Sequence, residues 1–276
     1  MDSEKQTQAS RSADGSAQAK VAVVIPAMNE EERIGATVQA AAHIPHVDLV
    51  VVVDDGSSDD TFHVAQTAGA IVVRHSANRG KAAAMETGGE VVKMRDIREG
   101  RFTASPRALL FLDADLGESA IECSPLVDPV FDGAVDCTIA YLPPQKGAGG
   151  HGFVTGLGKK AIVEATGWEP QQPLSGQRCI TREAFERVLP LASGWGVEVG
   201  MTIDLLVAGF TVQEVPCSLR HRASANDFAG QLHRAKQYAG VWKAVMARKL
   251  RKVHVPMEKR SGAGTAPGLP FNALAR

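Results

Sequence analysis

Leu109-Leu110-Phe111-Leu112-Asp113-Ala114-Asp115 is the stretch that organises this chain. Its four apolar residues read as the end of a buried strand, and two carboxylates then flank one alanine where that strand leaves the sheet. Residues two apart on an extended segment point the same way, so Asp113 and Asp115 can address one cation and the diphosphate it neutralises. The spacing alone is common by chance. The upstream sequence gives it weight.

Val21 to Ile25 is a β-branched run ended by Pro26, and Asn29-Glu30-Glu31-Glu32 then reads as a helix cap with acidic residues in the first turn of a helix reaching about Ala42. Leu49 to Val53 repeats the apolar run and stops at Asp54-Asp55-Gly56-Ser57-Ser58-Asp59-Asp60-Thr61, which leads into a second helix near Phe62 to Ala68. Ala70 to Arg74 predicts a third strand, Lys81 to about Met94 a third helix, and Ala108 to Leu112 the fourth strand. Strands alternating with helices at this spacing imply right-handed crossovers and a mostly parallel central sheet covered by helices on both faces, an α/β fold.

Ligands of such sheets bind at the carboxyl ends of the strands. Asn29-Glu30, Asp54-Asp55-Gly56-Ser57, Asn78-Arg79-Gly80-Lys81 and Asp113-Asp115 all fall there. Each has a bland alternative as a helix cap, a polar turn or a solvated lysine. Together they match a nucleotide-sugar site: Asp55 accepts the uracil N3–H, Glu30 meets ribose hydroxyls, Lys81 faces the diphosphate, and Asp113 with Asp115 carries a metal.

A chain of 276 residues with 44% hydrophobic content can bury a large core, and a net charge of −1 gives no global attraction to nucleic acid. Cys123, Cys137, Cys179 and Cys217 are scattered without a C-x-x-C pair, which argues against a zinc site or disulfide framework and suits a reducing cytosol. Residues 1–20 are polar and read as a disordered leader rather than a signal peptide. No run of 18 apolar residues occurs, so a membrane span is not expected, and the expected location is cytoplasmic.

Val24 to Glu31, Val53 to Thr61, Asn78 to Lys81 and Asp113-Ala114-Asp115 resemble the successive motifs of the family 2 glycosyltransferases of the GT-A fold. The resemblance covers roughly residues 20–140. It implies a nucleotide-diphosphate-sugar donor such as UDP-glucose, a Mg or Mn cation held through Asp115, a donor site including Pro26, Ala27, Glu30, Asp54, Asp55, Lys81, Asp113 and Ala114, and transfer to an acceptor hydroxyl or phosphate. The Q-x-x-R-W signature of processive synthases is missing. One transfer per acceptor is therefore expected.

In the second half, Cys137 to Tyr141 reads as a strand and Pro143 to Phe153 as a mobile Gly/Pro-rich loop. Leu174 to Arg178, Gly194 to Gly200 with the apolar helix that follows, and Leu219 to Arg222 resemble the acceptor half of glucosyl-3-phosphoglycerate synthases. That resemblance places Glu198 under the sugar as a catalytic group beside Asp115 and Lys81, and puts His221 on the metal with the Asp pair. It implies an acceptor site of Thr155, Ser175, Gly176, Arg178, Arg220 and Arg222. The bland alternatives are a solvated histidine and a first-turn carboxylate stabilised by the helix dipole. One motif departs from the family: its Gly-Arg-Val-Thr loop grips the acceptor phosphate, whereas this chain has Gly152-Phe153-Val154-Thr155. Phenylalanine cannot neutralise a phosphate.

Between Asp227 and Glu258 there is no acidic residue, and Phe228, Leu232, Ala235, Tyr238, Trp242, Val245 and Met246 recur at helical spacing. A basic amphipathic helix over 227–258 is expected, packed on the catalytic domain (21–226, with halves 21–115 and 116–226) or on a second copy, as in a homodimer; peripheral contact with the inner membrane face is the competing use. Residues 259–276 read as a flexible tail. The leading function is one sugar transfer to a small acidic or phosphorylated acceptor such as phosphoglycerate. Polyprenyl-phosphate glycosylation and a non-catalytic nucleotide-sugar-binding protein are the alternatives. A nucleotidyltransferase is set aside because Pro26-Ala27-Met28-Asn29 lacks the Gly-rich phosphate loop such an enzyme places after its first strand.

Overall fold

The computed structural model describes residues 20–141, 152–219, 228–261, 266 and 268–275, with backbone alone for 228–236. Arg220, His221, Arg222 and most of the Pro143 to Phe153 loop therefore lie outside the described residues, as does nearly all of the expected leader.

The strands are β1 (Val21–Ala27), β2 (Val47–Asp54), β3 (Ile71–Arg74), β4 (Ala108–Phe111), β5 (Cys137–Tyr141), β6 (Arg178–Ile180) and β7 (Val212–Pro216). The helices are α1 (Ile34–Ala42), α2 (Thr61–Thr67), α3 (Lys81–Arg98), α4 (Asp128–Phe131), α5 (Gly152–Thr166), α6 (Arg182–Arg187), α7 (Val197–Val207) and α8 (Phe228–Leu250). One seven-stranded sheet has the order β3-β2-β1-β4-β6-β5-β7. Only β6 runs against its neighbours β4 and β5; the other pairings are parallel. The mostly parallel α/β sheet expected from the alternating pattern is thus present.

Side-chain alternation sorts the strand residues onto two buried faces. Ala22, Val24, Leu109 and Phe111 pack with α3, α5, α7 and α8. Val21, Val23, Ile25, Leu110 and Leu112 pack with α1 and the 3-10 segment Gly117–Leu126. Helix α3 approaches the sheet closely because Gly88 has no Cβ; one added there would run into Val24. Burying the β1 and β4 side chains on both sides at about 25 cal/mol per Å² is what fixes their register.

The structure corrects four expectations. Asn29 does not cap α1: it sits at φ 55°, its N–H donates to Ser57 Oγ (2.9 Å) and its Oδ1 accepts from Ser58 N (2.9 Å), so it locks the β2–α2 loop instead. Helix α1 begins only at Ile34, with no acidic residue in its first turn. Gly152-Phe153-Val154-Thr155 is the opening of α5 rather than a loop. The chain end returns to the sheet where a free tail was expected: Phe271 bridges Val212, stacks on Trp168 and is 2% exposed. An isolated aromatic in a Gly/Pro-rich segment gives no periodicity, and that is why the sequence conceals the contact.

Helix α8 packs against the core through Val241, Ala244 and Val245, and Arg248 ion-pairs with Asp204 of α7. Tyr238 and Trp242, expected on its buried stripe, are exposed instead. Among the described residues no helix is long and apolar enough to cross a membrane.

Candidate active site

Parallel strands that share a register deliver their ends to one edge. Ala27 pairs with Asp54 and Asp54 with Arg74, so the loops after β1, β2, β3 and β4 emerge side by side. Pro26 and Ala27 close β1, the latter buried, and Glu30 follows half-buried.

Asp54 is fully buried; its Oδ1 accepts from Ser57 N (2.8 Å) and its Oδ2 faces Arg74 Nε (3.2 Å). It therefore shapes the turn, and the direct donor contact expected of it is not what the structure presents. Asp55 accepts from His75 Nδ1 (2.6 Å), Arg79 N (2.9 Å) and Gly80 N (2.7 Å). Those bonds pin the loop ahead of α3 to β2, and His75 is held in turn by Thr87 Oγ1 (2.9 Å). Among the described residues Oδ2 of Asp55 accepts from Gly80 N alone, so it retains acceptor capacity.

Four elements converge on Lys81. Its Nζ, at the start of α3, lies 2.7 Å from Oδ1 of Asp113 beyond β4 and 3.0 Å from Oε1 of Glu198 in the first turn of α7. Burial works against the ammonium, but the charges of Asp113 and Glu198 outweigh it and hold the Lys81 pKa well above the usual lysine range. Gly176 closes over the pair. A Cβ there would stand 2.6 Å from Lys81 Nζ and 2.9 Å from Asp113 Oδ1. The second Asp113 oxygen accepts from Gln177 Nε2 at 2.6 Å. The sequence marks Gln177 only by its place between Gly176 and Arg178, which carries no sign of this contact.

Asp115, two residues on, is half-buried behind buried Ala114 and makes no hydrogen bond or ion pair among the described residues. Among the described residues the two carboxylates of the Asp pair thus differ: Asp113 anchors Lys81, whereas Asp115 has no partner. No group of three His, Cys, Asp or Glu side chains among the described residues is placed to hold a metal. A cation here would rely on Asp115 and ligand oxygens, the pattern Mg prefers with phosphates. Among the described residues, the three carboxylates Asp113, Asp115 and Glu198 outnumber the Lys81 ammonium and the buried Arg178 guanidinium, and a divalent ion would offset the remaining negative charge. The residues present fit such a group.

The acceptor-side residues divide. Thr155 is half-buried on α5, and Phe153, two residues earlier, is 89% exposed. Ser175 is buried and its Oγ donates to Gln177 Oε1 (3.3 Å). Arg178 corrects an expectation: it is 1% exposed, with Nε on Ser175 O (2.9 Å) and Nη1 on Thr202 Oγ1 (2.8 Å), so it braces the site from behind. Burial lowers its pKa, the cost of holding a cation away from water. Glu214, its carboxyl pushed up by burial, accepts from Gln171 N and Gln172 N and ties down the segment leading to Ser175. The four thiols are buried, and desolvation raises the Cys137 and Cys217 pKa values to about 12, which leaves them inert.

Residues 22–156 match glycosyl transferase family 2. Glucosyl-3-phosphoglycerate synthase of Mycolicibacterium smegmatis is 33% identical over 197 residues, covering 67% of this chain and 63% of the relative. The chain thus spans less than two thirds of the length of that relative. Among solved structures, glucosyl-3-phosphoglycerate synthase from Mycobacterium tuberculosis in complex with Mn2+, uridine diphosphate and glucosyl-3-phosphoglycerate aligns with TM-score 0.63 at 22% identity, over 93% of this chain and 88% of that one. Mannosyl-3-phosphoglycerate synthase from Rubrobacter xylanophilus aligns with TM-score 0.66 at 21% identity, over 89% and 79%. The match over residues 22–156 and the sheet topology agree: this is a family 2-like glycosyltransferase with the GT-A fold.

Proposed function

We propose that this protein transfers one hexose from a nucleoside-diphosphate sugar, UDP-glucose or a close relative, to a small acidic acceptor such as phosphoglycerate. The observation that carries the reading is the Lys81 ammonium held between Asp113 and Glu198 at the carboxyl edge of the sheet, beside the open carboxylate of Asp115. A fixed ammonium at this place meets the diphosphate without reorganisation as negative charge grows on the leaving group. A Mg or Mn ion at Asp115 would neutralise the same diphosphate when bound.

Asp55 offers its remaining lone pair to the uracil N3–H, and Glu30 with Pro26 and Ala27 lines the nucleoside side. Glu198 sits at the start of α7, where the dipole supports its charge, and faces the sugar. On the acceptor side Thr155 offers a hydroxyl, Gly176 a close backbone approach, and Arg220 and Arg222 the cations for an acidic acceptor, with His221 as a further metal ligand. The phosphoglycerate synthases named above supply the precedent for that acceptor. The buried face of α8 supports a small acceptor over a lipid phosphate, since Val241 and Val245 are already engaged with protein.

The test is product formation from UDP-glucose and 3-phosphoglycerate with Mn, read by mass spectrometry. A glucosylated acceptor with release of uridine diphosphate is expected, and chelation should abolish it. No turnover of any sugar nucleotide with any small acidic acceptor would overturn the reading.

A further inference from the structure

We propose that Gln177 is a positioning residue of the transfer site: its side-chain amide fixes Asp113 and, through it, the Lys81 ammonium. This rests on the reading of Lys81 as the group that meets the donor diphosphate. Gln177 is 1% exposed, in the extended link that enters β6. Its Nε2 donates to Asp113 Oδ2 at 2.6 Å while Lys81 Nζ donates to Oδ1 at 2.7 Å. Lys81 and Gln177 thus each hold a different oxygen of the carboxylate, and the two donors come from opposite sides of the sheet order. Loss of either leaves the carboxylate free to turn about its terminal torsion, which is soft.

The sense of the amide is fixed by chemistry. An ionised carboxylate only accepts, so the NH2 end must face Asp113, and the Ser175 hydroxyl at 3.3 Å satisfies Oε1. Arg178, the next residue along, points the other way. It donates to Ser175 O and to Thr202 Oγ1, and Thr202 donates to the backbone oxygen of Glu198 (2.9 Å). The contacts close a ring: Glu198, Thr202, Arg178, Ser175, Gln177, Asp113, Lys81 and back to the Glu198 carboxylate. Gln177 is the member that joins the buried brace to the charged front of the site. A carboxylate there would repel Asp113, and a hydrocarbon would withdraw this donor from its oxygen.

The test is a double-mutant cycle on the full chain, with Gln177→Glu, Asp113→Asn and the double swap, plus Gln177→Met as the isosteric variant without a donor. Melting temperature, uridine diphosphate affinity in Mn, and kcat and KM for UDP-glucose are read for each. Gln177→Met should lower kcat on the order of tenfold to a hundredfold with KM for the donor nearly unchanged, the signature of misplacement rather than unfolding. Gln177→Glu should fall further. The swap restores a donor–acceptor pair with the polarity reversed, and should recover about fivefold or more over the product of the single effects. Parent-like kcat in Gln177→Met, or single effects that simply multiply in the swap, would overturn the proposal. A parent that turns over no donor refutes the proposed function instead; the cycle then reads on melting temperature, where recovery by the swap supports the contact and additivity overturns it.

Discussion

The Lys81 ammonium stands 3.0 Å from the Glu198 carboxylate, so one ion pair joins the first turn of α3 to the first turn of α7. The pair is partly open to solvent on the Lys81 side and mostly covered on the Glu198 side. Glu198→Gln keeps the shape and removes the charge. It should cost about 2 to 3 kcal/mol of barrier, roughly a hundredfold in kcat, and leave the melting temperature near that of the parent. Steady-state kinetics with UDP-glucose checks this; a kcat within threefold of the parent would remove Glu198 from the site.

A second prediction concerns stability far from the site. Arg107 is 3% exposed and reaches Asp48 (2.7 Å), Glu99 (2.7 Å) and the fully buried Asp96. This cluster ties the entry of β4 to β2 and to the end of α3. Arg107→Ala leaves the buried Asp96 charge to the more distant Arg182 guanidinium (3.7 Å) and should lower unfolding stability by about 3 kcal/mol. Urea titration measures it, and a loss under about 1 kcal/mol contradicts the assignment.

The same cluster sets an acid limb. For Asp48 burial opposes ionisation, yet the bonds from Arg107 and Lys20 prevail and its carboxyl lies below the usual value of 3.8; Arg107 likewise draws Glu99 below 4.5. Groups with depressed folded pKa values contribute stability that is present above their unfolded pKa and lost as pH falls through the folded one. Melting temperature should therefore hold at neutral pH and drop as pH falls below the ordinary carboxylate range. Arg107→Ala should flatten that drop. An equally steep acid limb in the variant would show that other carboxylates carry it.

Helix α8 yields a prediction about membranes. Its apolar residues Val241, Ala244 and Val245 are buried, and Lys249 is ion-paired with Glu164 (2.8 Å). The intact protein should ignore anionic vesicles, and truncation before α8 should lower the melting temperature by exposing the α5–α7 surface. Salt-reversible co-sedimentation of the intact, folded protein would contradict this, since cations near an anionic surface contribute about 1 kcal/mol each.

The sheet and its helices were legible because the β-branched run Val50 to Val53 and the apolar run Leu109 to Phe111 admit one reading between turn residues. Lys81 and Asp113 were legible as candidates because each stands where a strand ends or a helix opens, and Glu198 only through the resemblance of Gly194 to Gly200 to the acceptor half of glucosyl-3-phosphoglycerate synthases. The sequence could not reveal that Asp113 anchors Lys81 while Asp115 stays open, since both carboxylates look alike until Gln177 is brought to 2.6 Å. Asp54 and Arg178 looked like ligand-binding charges for the same reason: a charged residue in a turn or at a strand start carries no mark of its burial. Tyr238 and Trp242 were misplaced because helical spacing defines a stripe without saying which edge of it faces the core.

On the proposed function Asp115, which has no partner among the described residues, is the carboxylate through which a divalent cation meets the donor. The measurement that tests it most directly is Mn-dependent binding of uridine diphosphate by calorimetry, on the parent and on Asp115→Asn. The parent should bind with Mn and lose most of its affinity on chelation, whereas Asp115→Asn should bind weakly and show little response to Mn, its fold intact by circular dichroism. Equal Mn-enhanced affinity in parent and variant would contradict the account.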